Sequence, residues 1–353
     1  MSLIHNGIPS WVHYGVNALK ELSASGEKKA FLISDENLSR TEMFQTALTI
    51  LAPAEVYLLP TGEPKISDAQ RALDAFRKCG VECVIGLGGG SVLDVAKTVA
   101  VLGQSDSTVK ESIGNQLLTR QVELLLVPTT AGTGSEATRN CLFIDDQTGV
   151  KCALIADACL PDSVVLDPVL TRSLPPAIAA FTGVDALCHC VESYISRNHS
   201  PISRIWSLAG IERIREWLPQ TIGRREDDEA RQQMLFASFF GGVALAYAGT
   251  TAVHALAYSL GKRGVPHGVA NSLLFEPVMR ATLKKPEEQI PYFSELCAMI
   301  HCLPIPTLDR YAVRLEDAPA MAAEAMNQTR LLRNHPVEVQ EEMAREIFEE
   351  LFQ

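Results

Sequence analysis

The chain has 353 residues, 47% hydrophobic and 21% charged, enough for two globular domains with a sizeable core. A formal net charge of −11 and no long basic run argue against nucleic acid and an anionic membrane as partners. Nine cysteines without a CxxC pair, and a start (MSLIHNGIPSW) lacking basic and apolar leader regions, predict reduced thiols in a cytoplasmic protein.

In chain order, β-type apolar runs are predicted at 30–35 (AFLISD), 55–60 (EVYLLP), 83–88 (CVIGLG), 124–130 (LLLVPTT) and 163–168 (SVVLDP). Helix-like segments at 66–80 and 91–102 lie between them, the alternation of a parallel sheet wrapped by helices. Residues 141–156 read differently, as a β-hairpin appended to that sheet. Beyond TRSLPP (171–176) turn signals thin out and the spacing becomes helical, as in 206–218 and 338–352. We therefore divide the chain into an α/β nucleotide-binding domain, 1–170, and an all-α domain, 171–353, expected to pack directly and share a cleft. Residues 235–261 are long and uncharged enough to suggest a membrane span. Their Gly, Ala, Ser and Thr content, and a helix stop at Gly249 with Thr250 and Thr251 after it, predict two buried helices instead.

The stretch GLGGGSVLDVAK (86–97) follows a strand and opens a helix. Gly88, Gly89 and Gly90 let a ligand approach the backbone, and the helix start favours an anion such as a pyrophosphate. The plain alternative is a turn with Ser91 as N-cap and Asp94 completing a capping box, and the two readings can hold together because capping leaves backbone donors free. These glycines follow the third strand, whereas the usual dinucleotide fingerprint follows the first. Asp35, ending the first predicted strand, either binds a ribose 2′-OH, favouring NAD over NADP, or caps the segment 36–40. The cluster VPTTAGTGSEATRN (127–140) offers short hydroxyls and bare backbone, suited to a nucleotide or to a polar loop.

In GVDALCHC (183–190), Asp185 and His189 stand i, i+4, about 40° apart on a helix, so their side chains can meet. Cys190, about 140° from Asp185, points elsewhere. His254, in the apolar stretch, and His267, in VPHGVANS, would complete a three-nitrogen, one-oxygen site for a borderline divalent metal if they converge.

Taken together, GGGSVLDVAK, PTTAGTGSEAT, TGVDALCHCVESYIS and HALAYSLG followed by VPHGVAN resemble the iron-dependent (group III) alcohol dehydrogenases in order and spacing, over nearly the whole chain. The resemblance implies the dehydroquinate synthase-like fold of that family, with the active site between its two domains. It implies metal ligands at Asp185, His189, His254 and His267, holding Fe(II) or Zn(II). It places cofactor contacts at Asp35, Gly88, Gly89, Gly90, Ser91, Asp94, Thr129, Thr130, Thr133, Thr138, Asn140 and Lys151. The activity implied is NAD-linked interconversion of a small primary alcohol and its aldehyde, in a homodimer with strand 8–15 contributing to the contact.

Two departures bear on this. Tyr258 stands where many members carry a second histidine, a candidate proton carrier, and a phenol with a reference pKa near 10 is a poor base at neutral pH. Tyr247 replaces a frequent asparagine, which narrows the expected pocket, and the chain is shorter than typical members around 103–122. The competing readings are a polyol dehydrogenase or a dehydroquinate-synthase-like lyase on the same scaffold, and a non-catalytic protein that binds NAD and metal.

Overall fold

A computed structural model describes residues 7–23 and 29–352. Residues 1–6, part of the stretch read for a leader, lie outside it. Contacts divide the chain into two compact units, Met1–Thr130 with Gly134–Ser173, and Ala131–Thr133 with Leu174–Gln353.

The first unit is built on six parallel strands in the order β1-β8-β5-β4-β2-β3. They are β1 (Trp11–Tyr14), β2 (Ala30–Asp35), β3 (Glu55–Leu59), β4 (Cys83–Gly88), β5 (Glu123–Pro128) and β8 (Ser163–Leu166). Every residue of β4 is buried, as expected for a central strand covered by helices on both faces. The helices are α1 (Ala18–Ser23), α2 (Glu42–Leu51), α3 (Ile66–Cys79), α4 (Gly90–Leu102) and the short α5 (Val109–Ser112). The predicted hairpin forms from β6 (Asn140–Ile144) and β7 (Lys151–Ile155). It makes its own two-stranded sheet, touching Lys65 through a single bridge at Ile144, and so does not extend the main sheet as expected. The strand β1, on the sheet's edge, carries exposed Trp11 and Tyr14.

The second unit is helical. Its main helices are α6 (Pro176–Ile195), α7 (Pro201–Gly223), α8 (Asp228–Ala248), α9 (Ala252–Gly261) and α10 (His267–Thr282), with shorter helices following to Glu350. Pro176 opens α6, where a missing N–H costs nothing. The break between α8 and α9 falls where the sequence places it. Gly249 takes φ +73°, a conformation most side chains resist, and the two helices bend by 106°. Among the described residues no single helix is long and apolar enough to cross a membrane. None of the nine cysteines, all among the described residues, forms a disulfide.

Candidate metal centre and nucleotide edge

Helix α6 buries almost all of its surface, yet carries a polar line at Asp185, His189 and Glu192. At 100° per residue these positions fall within about 60° of one another, so one face of the helix delivers all three. His254 comes from the first turn of α9 and His267 from the first position of α10.

The four predicted ligands converge. The Oδ1 atom of Asp185 lies 3.6 Å from His254 Nε2, 3.7 Å from His267 Nε2 and 3.9 Å from His189 Nε2. Donor atoms of Asp185, His189 and His254 all fall within 4.8 Å of one another, and His267 joins through Asp185. The His189 and His254 rings stack at 4.7 Å, and His267 meets His254 edge-on at 5.2 Å. The His267 side chain is 30% exposed against 9% or less for the other three, so the cluster opens on its side.

Electrostatics suit a cation. Burial alone would raise the Asp185 carboxyl, but His189, His267 and His254 overcome it and hold the group well below the usual carboxylate range. Burial holds His189 below its usual value, against the pull of Asp185, and so favours the neutral ring a metal needs. Burial also opposes charge on His254, yet Glu192 and Asp185 push it up to about 9. A metal at its Nε2 therefore displaces a proton.

The cysteines beside His189 serve the core. Cys188 Sγ points to Asn271 O at 3.8 Å, and Cys190 Sγ to Ala237 O at 4.0 Å. Burial pushes both thiols up, away from the thiolate a metal would take.

Two residues that the sequence reading did not single out complete the cluster. Glu192 is fully buried. Its Oε1 accepts from Thr251 Oγ1 (2.6 Å), Val253 N (2.8 Å) and Thr251 N (3.1 Å), and its Oε2 pairs with His254 Nδ1. The carboxylate thus caps α9 from a neighbouring helix, and Thr251, at the N-cap position, donates its hydroxyl to Glu192 instead of capping the helix itself. It also fixes His254 with Nε2 facing Asp185, the carboxylate–histidine support seen behind metal ligands. The signal was available: Glu192 continues the i, i+4, i+7 line of Asp185 and His189. The second residue, Asn271, lies one turn after His267 and donates from Nδ2 to Asp185 Oδ1 at 2.6 Å.

In the first unit, Asp35, Gly88 and Thr129 end or follow the adjacent parallel strands β2, β4 and β5, on one edge of the sheet. Ligands of open α/β sheets bind at this carboxyl edge. Gly89 is the N-cap of α4, with no side chain capping it, so the expected Ser91–Asp94 capping box does not form. Asp94 instead accepts from Ser135 Oγ (2.5 Å) and Leu142 N (2.8 Å), and pairs with Lys97 at 2.9 Å. Lys97, wholly buried, also donates to Ser135 O (3.0 Å), Thr138 Oγ1 (3.3 Å) and Asn140 O. Burial disfavours its charge, but Asp94 holds its pKa above the ordinary value. This buried ion pair stitches the 135–142 loop to α4, a role the sequence reading gave to neither residue. Thr129 N donates to Gly88 O at 3.0 Å, and Thr130 lies beside Gly89.

Three further predicted cofactor residues have contacts or placements of their own. Asp35 Oδ1 accepts from Asn37 N and Leu38 N, both at 2.9 Å, which is the capping alternative. Its second oxygen is outside those bonds. Lys151 pairs with Glu63 at 2.7 Å. Thr133 belongs to the segment Ala131–Thr133 of the second unit. In that segment Gly132 O lies 3.3 Å from His189 Nδ1 and orients the ring.

Comparison with known proteins follows the same division. Residues 9–168 match the family model for iron-containing alcohol dehydrogenase, and residues 179–304 its C-terminal counterpart. The chain is 37% identical over 266 residues to "Probable alcohol dehydrogenase EutG" of Escherichia coli (strain K12), covering 74% of this chain and 67% of that protein. It is 32% identical to "Long-chain-alcohol dehydrogenase 1" of Geobacillus thermodenitrificans (strain NG80-2), over 100% of this chain and 98% of the relative. Among solved structures, a 1,3-propanediol oxidoreductase superposes with a TM-score of 0.89 at 29% identity, covering 99% of this chain and 100% of its own.

Proposed function

The chain belongs to the iron-containing alcohol dehydrogenases, and on that premise we propose that it interconverts a small primary alcohol and its aldehyde, with NAD as hydride carrier. A divalent metal, Fe(II) or Zn(II), is held by Asp185, His189, His254 and His267. The observation that carries this reading is the meeting of three imidazole Nε2 atoms around Asp185 Oδ1 at 3.6 to 3.9 Å. One carboxylate and three neutral nitrogens suit a borderline divalent cation, and the buried, ionised Asp185 supplies its counter-charge.

When bound, the metal supplies Lewis acidity to the substrate oxygen and NAD accepts or returns the hydride. The chain's residues hold the parts in place. Glu192 and Gly132 O hold the Nδ1 sides of His254 and His189, leaving both Nε2 atoms facing Asp185, where they would meet a metal. The amides at the start of α4, Gly88 to Ser91, receive the pyrophosphate, with Thr129, Thr130, Thr133, Thr138 and Asn140 framing the cofactor. The second oxygen of Asp35 takes a ribose 2′-OH and repels a 2′-phosphate, which sets NAD above NADP. Lys151 reaches the cofactor by exchanging Glu63 for it. Tyr258 stacks on His267 at 6.2 Å, which suits a residue that shapes the open side of the site. We place the enzyme in the cytoplasm, as a homodimer joined along the β1 edge.

The test follows absorbance at 340 nm with NADH and a series of short aldehydes, comparing protein loaded anaerobically with Fe(II) or Zn(II) and protein stripped by chelator. Metal-dependent loss of NADH is expected. Flat traces with both metals across the series would overturn the reading.

A further inference from the structure

Cys141 and Cys159 meet in the core of the first unit, beside Lys97. Cys141 lies in β6 opposite Leu154, buried on the same face of the strand as Phe143. Cys159 closes the short turn Asp157–Cys159 that follows β7, its N–H donating to Ala156 O at 3.0 Å. Strand and turn both pack on α4, and both thiols are wholly buried. The Cys141 thiol donates a hydrogen bond to the Cys159 sulfur, and the Lys97 ammonium stands close enough to act on both.

Two sulfurs in contact have a chemistry that neither has alone. The thiolate is the reactive form of cysteine. The hydrogen bond from Cys141 holds the Cys159 thiol below its ordinary pKa, with burial opposing and Lys97 helping. Burial, with the bond it gives to Cys159, pushes Cys141 up. One sulfur is thereby set to attack first and its neighbour to follow, as in a thiol with a resolving partner. Cys159 sits one turn from water, between exposed Asp157 and half-buried Leu160. A molecule as small as hydrogen peroxide reaches it by local opening of that turn.

We propose that Cys141 and Cys159 form a peroxide-sensitive dithiol, whose disulfide loosens the adjoining loop from the cofactor. The Cys159 thiolate attacks one peroxide oxygen, the O–O bond breaks, and the departing hydroxide takes up the thiol's proton as water. The Cys141 sulfur then attacks the Cys159 sulfenic acid. The S–O bond breaks, and the proton of Cys141 leaves with the hydroxide as a second water. The two thiols lose two electrons in all, one peroxide becomes two waters, and a small thiol reductant reverses the bridge. An S–S bond is much shorter than a thiol hydrogen bond, so closing it draws β6 toward the turn. Asn140, next to Cys141, moves with it, and Lys97 loses part of its hold on Ser135 O and Asn140 O. The effect on the cofactor rests on the NAD reading above, which puts Thr138 and Asn140 against it; formation of the bridge does not.

The test treats full-length protein with hydrogen peroxide, in the absence of iron so that no radical chemistry intrudes. The protein is then alkylated under denaturing conditions and its peptides are mapped by mass. Peptides joined through Cys141 and Cys159, lighter by two hydrogens and separated again by dithiothreitol, are expected. NADH affinity, read by fluorescence in the same samples, is expected to fall about five- to tenfold and to return on reduction. Cys141→Ala and Cys159→Ala should each keep their NADH affinity through peroxide, although exposed Cys302 is oxidised in them as in wild type. Absence of the joined peptides from wild type whose Cys302 has been oxidised would overturn the dithiol. A bridge that leaves NADH affinity unchanged, or an equal loss in Cys141→Ala and Cys159→Ala, would overturn its control of the loop. Reduced wild type that binds no NADH would sink the cofactor reading, and the peptide map would still decide the dithiol on its own.

Discussion

At the scale of single residues, the metal cluster depends on groups that touch no substrate. Glu192 is buried, ionised and bonded to four donors, with burial working against its charge and His254 sustaining it. Glu192→Ala removes one half of a buried pair and uncaps α9. It should lower metal-free stability by about 3–5 kcal/mol in a denaturant melt. A loss near zero would mean that the network carries little weight. Behind it, His335 is buried, with Nδ1 3.1 Å from Thr251 Oγ1, and burial lowers its pKa to about 4. Glu192 opposes that shift and Arg197 adds to it. The unfolded chain takes up this proton near pH 6.5 and the folded chain only near 4, so the group's contribution is complete above 6.5 and is lost as pH falls from there toward 4. The span is worth roughly 3 kcal/mol. His335→Gln should remove one proton's worth of slope from stability against pH in that window; an unchanged slope would contradict the assignment. These supporting residues were harder to read in the sequence than the ligands. Asp185 and His189 stand out because carboxylate and imidazole at i, i+4 are a recognisable pair. Glu192 continues the line of Asp185 and His189, but its partners, like those of Asn271, appear only when the folded chain brings α9 and α10 against α6.

At the scale of elements, α6 and α10 must pack closely for His267 to reach Asp185. Gly268 marks the contact: a Cβ there would fall 2.6 Å from Phe181 O and 2.8 Å from the Phe181 ring, and the backbone oxygen cannot step aside. Gly268→Ala should cost about 1–3 kcal/mol of stability and weaken metal binding by moving His267 off Asp185. Wild-type metal affinity in this variant would show that the α6–α10 spacing does not position the ligand. Element type was largely legible. Continuous apolar runs gave the central strands, and the Gly249 stop separated α8 from α9 inside a stretch whose hydropathy alone suggests a membrane span. The detail of the glycine turn was not legible, because Ser91 and Asp94 satisfy a capping box on paper. Lys97, six residues after Ser91, takes Asp94 for a buried ion pair, and no local spacing announces that its ammonium ties down a loop some 40 residues away.

For the whole molecule, the proposed dimer rests on β1, an edge strand presenting Trp11 and Tyr14 at 68% and 65% exposure. An open apolar edge invites pairing. Replacing both aromatics by lysine should convert a sedimenting dimer to a monomer, and an unchanged sedimentation coefficient would remove β1 from the interface. The sequence changes rhythm, from strands alternating with helices to helices alone, near 170, while contacts divide the chain at Ser173 and assign Ala131–Thr133 to the second unit. The identity of the alcohol was not visible, because scattered side chains build a pocket. An anaerobic Fe(II) titration of wild type and Asp185→Asn, reading bound metal and NADH oxidation by a short aldehyde in the same samples, decides whether the cluster around Asp185 holds the metal on which turnover depends. One tightly bound metal per chain is expected in wild type, with activity rising in step with occupancy, and neither in a folded Asp185→Asn. Equal turnover in the variant, or wild-type turnover independent of bound metal, would overturn that role for Asp185.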